Sequence, residues 1–298
     1  MLLLLLMNFL LFQKAGDDAP LAARINQLFH VVLTTDDKKQ EAAAEAEVKE
    51  IFTKHGIPTV AGVGDDAAYK FVFLTCSPGP TEFQNQVLRK AREGAKRHEV
   101  PDDAADYCAA HIRQETEKAR SKKHRPSNPA LREQIEQLYK SDQAVREKQG
   151  FDIEKMKRTD RRHAAVLQEI FANYGVPTYR MVGPQAAADF VTMIQHQSPE
   201  LRRKVLPKLK ANVDTGQADP GSYAMVLDRS RTDAGRKQIY GENLTCDREH
   251  PKLHAGPIED EYHVNQRRAA IGLMRLGLYV QLVVAMSPNV CSAGPEAK

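Results

Sequence analysis

The chain has 298 residues, of which 42% are apolar and 28% charged, and its net charge is +4 at pH 7. This length is enough for two ordinary domains with their own cores, which excludes a small scaffold held together by metals or disulfides. Both signs of charge are spread along the chain, so nucleic acid is not expected as a partner. The absence of Trp and the 6% aromatic content favour aliphatic packing between helices.

The N-terminal segment, residues 1–19, contains an apolar run from Leu2 to Phe12 that only Asn8 interrupts. The run is too short to cross a bilayer, but it has the length of the hydrophobic region of a secretory signal. Because no Lys or Arg precedes the run, a start codon assigned too early, upstream of Met7, is the alternative. We expect export to the periplasm or the exterior if the segment is a signal, and a cytoplasmic protein otherwise.

An internal repeat organises the rest of the chain. Residues 51–72 (IFTKHGIPTVAGVGDDAAYKFV) align without a gap on residues 170–191 (IFANYGVPTYRMVGPQAAADFV), with identity at eleven of the 22 positions. The repeat and its helical periodicity predict an all-α protein with two tandem divergent modules of about five helices each. The predicted domains are a degenerate N-terminal copy over residues 20–116, a C-terminal domain over 130–286 and a tail over 287–298.

Helical spacing and turn residues predict the elements of the second copy. Two amphipathic helices come first, with apolar stripes through Leu131, Ile135, Leu138 and Val145 and through Ala164, Leu167, Phe171 and Tyr174. Three further helices are predicted over residues 184–196, 200–214 and 222–231. Residues 271–286 are apolar but short and contain Arg275, which favours a buried helix over a membrane span.

Between the copies, residues 117–129 are rich in Lys, Arg, Ser and Pro and are predicted to form an exposed basic linker. We interpret its charges as a solvated segment, with contact to an acidic partner as the alternative.

The four cysteines show no CxxC pair and no regular spacing, which indicates neither a zinc ribbon nor a redox motif. They are expected to form one or two disulfides in an exported protein and to be small buried apolar residues otherwise. A metal site formed by Cys246, His250 and His254 is disfavoured, since Pro251 interrupts any helix that would align them.

The two copies differ in the kind of residue at two aligned places, and at a third both have a carboxylate, Asp160 in the second copy and Glu41 in the first. Asp142 continues the apolar stripe of its helix where the first copy has Val32, Asp160 precedes the next stripe, and His196 stands where the first copy has Ser77. An ionised group on a buried face needs a partner. The candidate partners are Arg146, Arg161 and Arg229.

The second copy also carries an ordered series of polar and glycine motifs. In chain order these are Ser141-Asp142-Gln143-x-x-Arg146, Asp160-Arg161, Tyr174-Gly175-Val176-Pro177, Val182-Gly183, Gln195-His196, Leu206-Pro207, Asp228-Arg229, Gln238-x-Tyr240-Gly241, Ile258-Glu259-Asp260 and Arg267-Arg268-x-x-Ile271-Gly272-Leu273. With this series, residues 130–282 resemble a bacterial family designated a domain of unknown function (number 6624). The chain departs from the family pattern at Val176, where Trp is usual, and at Glu242-Asn243, where Thr-Gln is usual. The resemblance implies the domain and no particular activity.

These residues define one candidate polar pocket between helices, which we expect to bind an unknown small molecule or protein partner. The alternative is a hydrolase that acts on a phosphorylated or acyl substrate, with His196 as a general base oriented by Asp228 or Asp142 and with Arg side chains that bind the anion. The candidate catalytic residues are His196, Asp228 and Asp142, and the candidate ligand-binding residues are Gln143, Arg146, Asp160, Arg161, Arg229, Gln238 and Tyr240.

Two further interpretations of the same residues stay open at this stage. The carboxylates and His196 also suit a hard or borderline metal ion, or they form a purely structural ion-pair network. The sequence identifies no cofactor. It contains no GxSxG, phosphate-binding glycine loop or dinucleotide fingerprint, which removes support for the common hydrolase, nucleoside-triphosphatase and dehydrogenase classes.

Overall fold

The computed structural model describes residues 18–77, 81–146, 152–247 and 252–291. Within these ranges the chain forms fourteen α-helices, one 3-10 helix and one two-stranded antiparallel sheet, which confirms the predicted all-α class. The apolar run of the predicted secretory signal lies outside the described residues. The described helices include none that is both long and apolar enough to cross a membrane. The chain divides into two compact units, Met1–Ala109 and Ala110–Lys298.

The first unit contains a series of helices, of which the first three begin at a side-chain cap. They are α1 (Ala19–Thr34), α2 (Lys38–His55), α3 (Val60–Val63), α4 (Asp65–Cys76), α5 (Glu82–Lys96) and the start of α6 (Asp102–Lys123). Asp18, Asp37 and Thr59 each accept a hydrogen bond from a backbone N–H in the first turn that follows, which satisfies a donor that the helix itself leaves free. Helix α4 is buried from Ala67 to Cys76, and a disulfide joins Cys76 to Cys108.

The predicted linker is wrong in part, because much of it belongs to helix α6. The helix continues to Lys123, so more than half of residues 117–129 is helical, and the boundary between the units lies at Ala109 inside this helix. Charges predicted to be solvated are in part engaged: the Glu117 carboxylate accepts hydrogen bonds from Arg180 at 3.0 Å and from Gln217 at 2.7 Å, and Gln114 donates to the Val213 carbonyl at 2.7 Å. These contacts hold the second half of α6 within the second unit.

The second unit continues with α7 (Pro129–Gln143), α8 (Ile153–Tyr174), α9 (Tyr179–Val182), α10 (Pro184–Gln195), α11 (Pro199–Asp214) and α12 (Pro220–Thr232). The strands β1 (Leu244–Cys246) and β2 (Leu253–Ala255), a 3-10 helix (Glu261–His263), α13 (Val264–Ala270) and α14 (Leu276–Met286) follow. Helix α10 is central, since it packs on α7, α9, α11 and α12, and its Phe190 and Ile194 are fully buried in the core. The helices predicted over 184–196, 200–214 and 222–231 are α10, α11 and α12.

The two units have matching elements around the aligned repeat. Helices α3 and α9 have four residues each, α4 and α10 have twelve each, and the glycines that precede α4 and α10 have positive φ of 83° at Gly64 and 87° at Gly183. A left-handed backbone at this position favours glycine. The duplication itself stays a prediction.

Two predicted apolar faces were wrong in detail. On α8 the buried stripe runs through His163, Leu167 and Ile170, and Tyr174 at the end of the predicted stripe is 45% exposed. The helix predicted over residues 271–286 begins at Leu276, and Leu278 is its one buried residue among those described. Its C-terminal end is tethered by the second disulfide, which joins Cys246 to Cys291. His250 of the disfavoured metal site lies outside the described residues.

Candidate functional site

The C-terminal end of α7 brings four of the predicted polar residues together. Asp142 is fully buried, and its Oδ1 lies 3.2 Å from His196 Nδ1 at the end of α10 and 3.3 Å from Nη2 of Arg146. Gln143 Nε2 donates to the other carboxylate oxygen at 2.9 Å. Burial raises the pKa of Asp142, but the hydrogen bond with His196 and the nearby positive charge lower it more, so its pKa lies below the ordinary value.

Arg146 lies at the centre of this cluster. Its Nη2 donates to Asp160 Oδ1 on α8 at 2.6 Å, and its Nε donates to His196 Nδ1 at 3.1 Å. Nη1 is buried and has no hydrogen-bond partner among the described residues. The predicted pairing of Asp142 with Arg146 is therefore present, and the guanidinium joins α7, α8 and the end of α10.

The ring of His196 has two competing neighbours at the same nitrogen. Nδ1 either donates a proton to Asp142 or accepts one from the Nε–H of Arg146, since a ring nitrogen has one in-plane position. In the first tautomer Nε2 is an unprotonated base, and in the second it is an N–H donor. The described residues supply no hydrogen-bond partner for Nε2, and the His196 side chain is 24% exposed.

A surface groove of about 320 Å³ opens beside this cluster, and we call it the His196 groove. Its lining includes His196 and Asp160 from the cluster and the basic residues Lys157 and Arg161 from α8. Lys157 pairs with Glu154 at 3.2 Å, whereas the exposed guanidinium of Arg161 has no partner among the described residues. Arg161 is therefore free to contact a ligand.

The same cluster offers a set of metal ligands. Asp142, Asp160 and His196 each provide one ligand atom, and these atoms lie within 4.8 Å of one another. Two carboxylates and an imidazole suit a hard or borderline divalent cation. The Arg146 guanidinium, however, contacts all three residues and already supplies their positive charge. A metal ion would have to displace it.

His163 belongs to this region although the sequence analysis missed it. It is 6% exposed, its Nε2 lies 2.9 Å from the Ser141 hydroxyl, and its Nδ1 is buried without a partner among the described residues. The hydroxyl of Ser141 also donates to the Leu138 carbonyl, which leaves its oxygen to accept from Nε2–H. Burial lowers the pKa of His163 more than Asp142 and Asp160 raise it. The sequence feature that could have identified His163 is its position four residues before Leu167, on the buried face of α8.

Asp228 binds backbone groups of a loop and does not have the catalytic position that the sequence predicted. It is fully buried on α12, and its two carboxylate oxygens accept hydrogen bonds from the backbone N–H groups of Ile239, Tyr240 and Glu242 at 2.7 to 3.2 Å. His196 is oriented by Asp142 and not by Asp228. The next residue, Arg229, has an exposed side chain, and the carboxylates of Asp142 and Asp160, for which it was a candidate partner, pair with Arg146 instead.

Gln238 and Tyr240 are also part of this loop structure. The Gln238 side chain donates to the Asn243 carbonyl at 3.0 Å and accepts from the Asn243 N–H at 2.8 Å, which closes the loop 238–243 on itself. The Tyr240 ring packs edge-on against Tyr223, with 6.1 Å between the ring centroids. Both residues are buried, and they stabilise the loop that Asp228 anchors.

Glu242 forms a buried ion pair with Arg268. Arg268 Nη1 donates to Glu242 Oε1 at 2.8 Å and to the Tyr240 carbonyl at 2.6 Å. Burial raises the pKa of Glu242, although the charge of Arg268 opposes the shift. The pKa of Tyr279 is raised to about 12 by burial and by the neighbouring Glu242. Glu242 therefore has a buried cationic partner of its own.

Comparison with known proteins gives one match. The model of a family of unknown function (DUF6624) matches residues 129–287, which is more than half of the 298 residues. A search of curated proteins and a search of solved structures found no match. The matched range contains the His196 groove, the Asp228 loop and the Glu242–Arg268 pair. The chain therefore belongs to the family of unknown function DUF6624.

Proposed function

We propose that the second unit binds a small anionic ligand in the His196 groove. The observation that carries the proposal is that Arg161, a cation without a partner among the described residues, lines the same open groove as the free Nε2 of His196. An arginine fork beside an imidazole N–H suits a carboxylate or phosphate group. The network of buried Asp142 with the partly exposed Arg146 and Asp160 holds the imidazole on the side away from the groove.

The tautomer of His196 determines whether the ring donates a hydrogen bond to the anion or acts as a general base. The Nε–H of Arg146 points at Nδ1 with hydrogen-bond geometry, which supports Nδ1 as the acceptor and Nε2–H as a donor toward the groove. In this state Asp142 keeps its ion pair with Arg146 and the hydrogen bond that Gln143 donates. The ring then acts in ligand binding and not as a general base.

A hydrolase is the second candidate, and the 3.2 Å contact between Asp142 Oδ1 and His196 Nδ1 favours it. If Nδ1 donates to Asp142, Nε2 carries a lone pair and takes a proton from a water molecule that attacks an acyl or phosphoryl centre. Asp142 then holds the ring and stabilises the imidazolium that forms. The two candidates thus differ in which nitrogen of His196 carries the proton.

The test is long-range proton–nitrogen NMR of the full-length protein, with His196 assigned from the His196→Gln variant. We expect the Nε2–H tautomer and a shift of the ring signals on addition of acetate or inorganic phosphate. Arg161→Gln should abolish the shift, whereas Arg162→Gln, a neighbouring exposed arginine outside the groove, should preserve it. Equal loss in both variants, or no shift in the wild type, would refute the proposal.

The hydrolase candidate has its own test with p-nitrophenyl acetate and p-nitrophenyl phosphate. It requires the Nδ1–H tautomer, turnover of one of these esters, and loss of that turnover in both His196→Gln and Asp142→Asn. The Nε2–H tautomer together with turnover unaffected by His196→Gln excludes it.

We further propose that the first unit is a scaffold derived from the same module. The matching helix lengths, the two positive-φ glycines and the aligned repeat support a common origin, and Val32 and Ser77 stand where the second unit has Asp142 and His196. Pairing of all four cysteines in two disulfides supports export to an oxidising compartment.

A further inference from the structure

A second cavity of the second unit has a different chemistry from the His196 groove and shares no residue with it. It has a volume of about 440 Å³, within the usual range for small-molecule sites. We call it the α10 cavity, because the start of α10 forms one of its walls. The lining residues that matter here are Lys118, Lys122, His124, Tyr179, Gln185 and Asp219.

The N-terminus of α10 faces this cavity without a cap. Gly183 at the N-cap makes no side-chain hydrogen bond, and Pro184 follows it. The N–H groups of Gln185 and Ala186 come next, and they find no acceptor among the described residues. A helix N-terminus of this kind carries partial positive charge and free donors.

The corresponding helix of the first unit supplies its own negative charge. Helix α4 also begins after an uncapped glycine, but Asp65 and Asp66 occupy its first turn, whereas the first turn of α10 contains no acidic residue. Around α10 the neighbouring charges are mainly positive instead. The two carboxylates that offset the partial positive charge at the start of α4 thus have no counterpart in the first turn of α10.

The side chains around the cavity increase this positive charge. Lys122 is exposed and has no partner among the described residues, while Lys118 and Arg132 pair with Glu115 and Glu136 outside the cavity. The one acidic lining residue, Asp219, uses its Oδ2 to cap α12 through the N–H of Ser222 at 2.7 Å. The cavity therefore has an excess of cationic donors.

Tyr179 gives an independent indication of a ligand. This residue is 96% buried, since 4% of it is exposed, and it lines the cavity. Its hydroxyl has no hydrogen-bond partner among the described residues, although a buried phenol normally has one. A ligand oxygen in the cavity would supply that partner.

We propose that the α10 cavity binds the phosphate group of a small phosphorylated metabolite. A helix start with free backbone N–H groups, a free lysine and a tyrosine line the same cavity, and several donors around one cavity suit an anion with three terminal oxygens better than a carboxylate with two. The apolar lining residues Val182, Ala186 and Ala188 provide a surface for the organic part of the ligand. This site is additional to the anion site proposed at His196.

The proposal is tested by titration calorimetry of the full-length protein with ribose 5-phosphate, inorganic phosphate and ribose. We expect ribose 5-phosphate to bind, inorganic phosphate to bind more weakly and ribose not to bind. Inorganic phosphate that binds as tightly as the sugar phosphate would overturn the assignment to a phosphorylated metabolite. Binding of ribose alone would overturn the assignment to a phosphate group.

Matched variants locate the binding. Lys122→Glu should weaken ribose 5-phosphate binding by about tenfold or more, since it replaces a charged donor with a repelling carboxylate. Lys123→Glu changes the charge of an exposed neighbour outside the cavity and should have less than about twofold effect. Tyr179→Phe, which removes one hydroxyl, should weaken binding by about fivefold. Equal effects of Lys122→Glu and Lys123→Glu would reveal a general charge effect and refute the site.

The two proposed anion sites have separate reporters in the same NMR experiment. The His124 ring lines the α10 cavity and the His196 ring lines the His196 groove. Ribose 5-phosphate should shift the His124 signals in the wild type and in Arg161→Gln alike. A shift at His196 that disappears in Arg161→Gln, with none at His124, would support the proposed function and contradict the α10 cavity as a phosphate site.

Discussion

Nη1 of Arg268 lies 2.8 Å from Oε1 of Glu242, and the two side chains are 1% and 5% exposed. Arg268 also donates to the carbonyls of Tyr240 and Met274 and stacks its guanidinium on the Tyr279 ring. The arginine thus connects the loop after α12 with the segment before α14. Its charge has one buried anionic partner among the described residues.

Glu242→Thr, which removes the carboxylate, should therefore destabilise this chain. Removal of one member of a buried ion pair leaves the other charge uncompensated and costs about 3–5 kcal/mol. Urea unfolding of the variant should show this loss, and Glu242→Gln, which keeps a hydrogen-bond acceptor, should show a smaller one. A loss below about 1 kcal/mol for Glu242→Thr would mean that Arg268 does not need this carboxylate.

His163 should make folding stability depend on pH below neutrality. Its pKa in the folded protein lies below the ordinary value of 6.5 because burial disfavours the charged ring. The unfolded chain then binds the proton more readily, so the contribution of the neutral ring is complete above pH 6.5 and is lost as pH falls toward the folded pKa. The urea midpoint should fall between pH 8 and pH 5, and by less in His163→Gln. The exposed His124→Gln should keep the wild-type pH dependence; an unchanged dependence in His163→Gln would contradict the assignment.

Asp228→Asn tests the role of Asp228 as an anchor of the loop. The carboxylate accepts hydrogen bonds from three backbone N–H groups, and the amide that replaces it has a single acceptor oxygen, so one or more buried donors lose their partner. We expect a loss of about 1–3 kcal/mol and faster hydrogen exchange at Ile239, Tyr240 and Glu242. Asp214→Asn, at an exposed pair with Lys210, should change stability by less than about 0.5 kcal/mol. Normal exchange in Asp228→Asn would remove the anchoring role.

The buried disulfide should contribute measurably to the first unit. Cys76 and Cys108 are both fully buried and 32 residues apart, and a cross-link over such a loop stabilises by about 2–4 kcal/mol. The double variant Cys76→Ala, Cys108→Ala should lower the urea midpoint, and reducing agent should have the same effect on the wild type. A wild-type midpoint that is insensitive to reduction would contradict both this contribution and the proposed need for an oxidising compartment.

Much of the second unit could be predicted from sequence because its signals are local. Proline and capping residues mark the starts of α10, α11 and α12, and the stripe through Leu138 predicted that the buried Asp142 needs a partner such as Arg146. The phase of α8 was wrong because Ala164 and Phe171 give nearly the same periodicity as His163 and Ile170. The predicted buried face was shifted by one residue, and this shift left His163 out of it.

The parts that sequence could not predict depend on contacts between distant segments. Nothing in the spacing of Asp228 indicates that backbone N–H groups eleven to fourteen residues later would surround its carboxylate. The basic run after Glu117 has the composition of a linker, yet α6 continues through it to Lys123, and Glu117 accepts hydrogen bonds from Arg180 and Gln217. The amino-acid composition of such a helix reflects its solvated face and does not reveal the face that makes tertiary hydrogen bonds.

The course of α6 also bears on where a domain of this family can be cut. The family match begins at residue 129, but the compact unit begins at Ala110, and Gln114 and Glu117 make hydrogen bonds with residues inside the matched range. A fragment that starts at the family boundary would expose the Val213 carbonyl and leave Gln217 and Arg180 without the carboxylate that they share. The turns of α6 that precede residue 129 thus stabilise the matched domain, although they lie outside the family match.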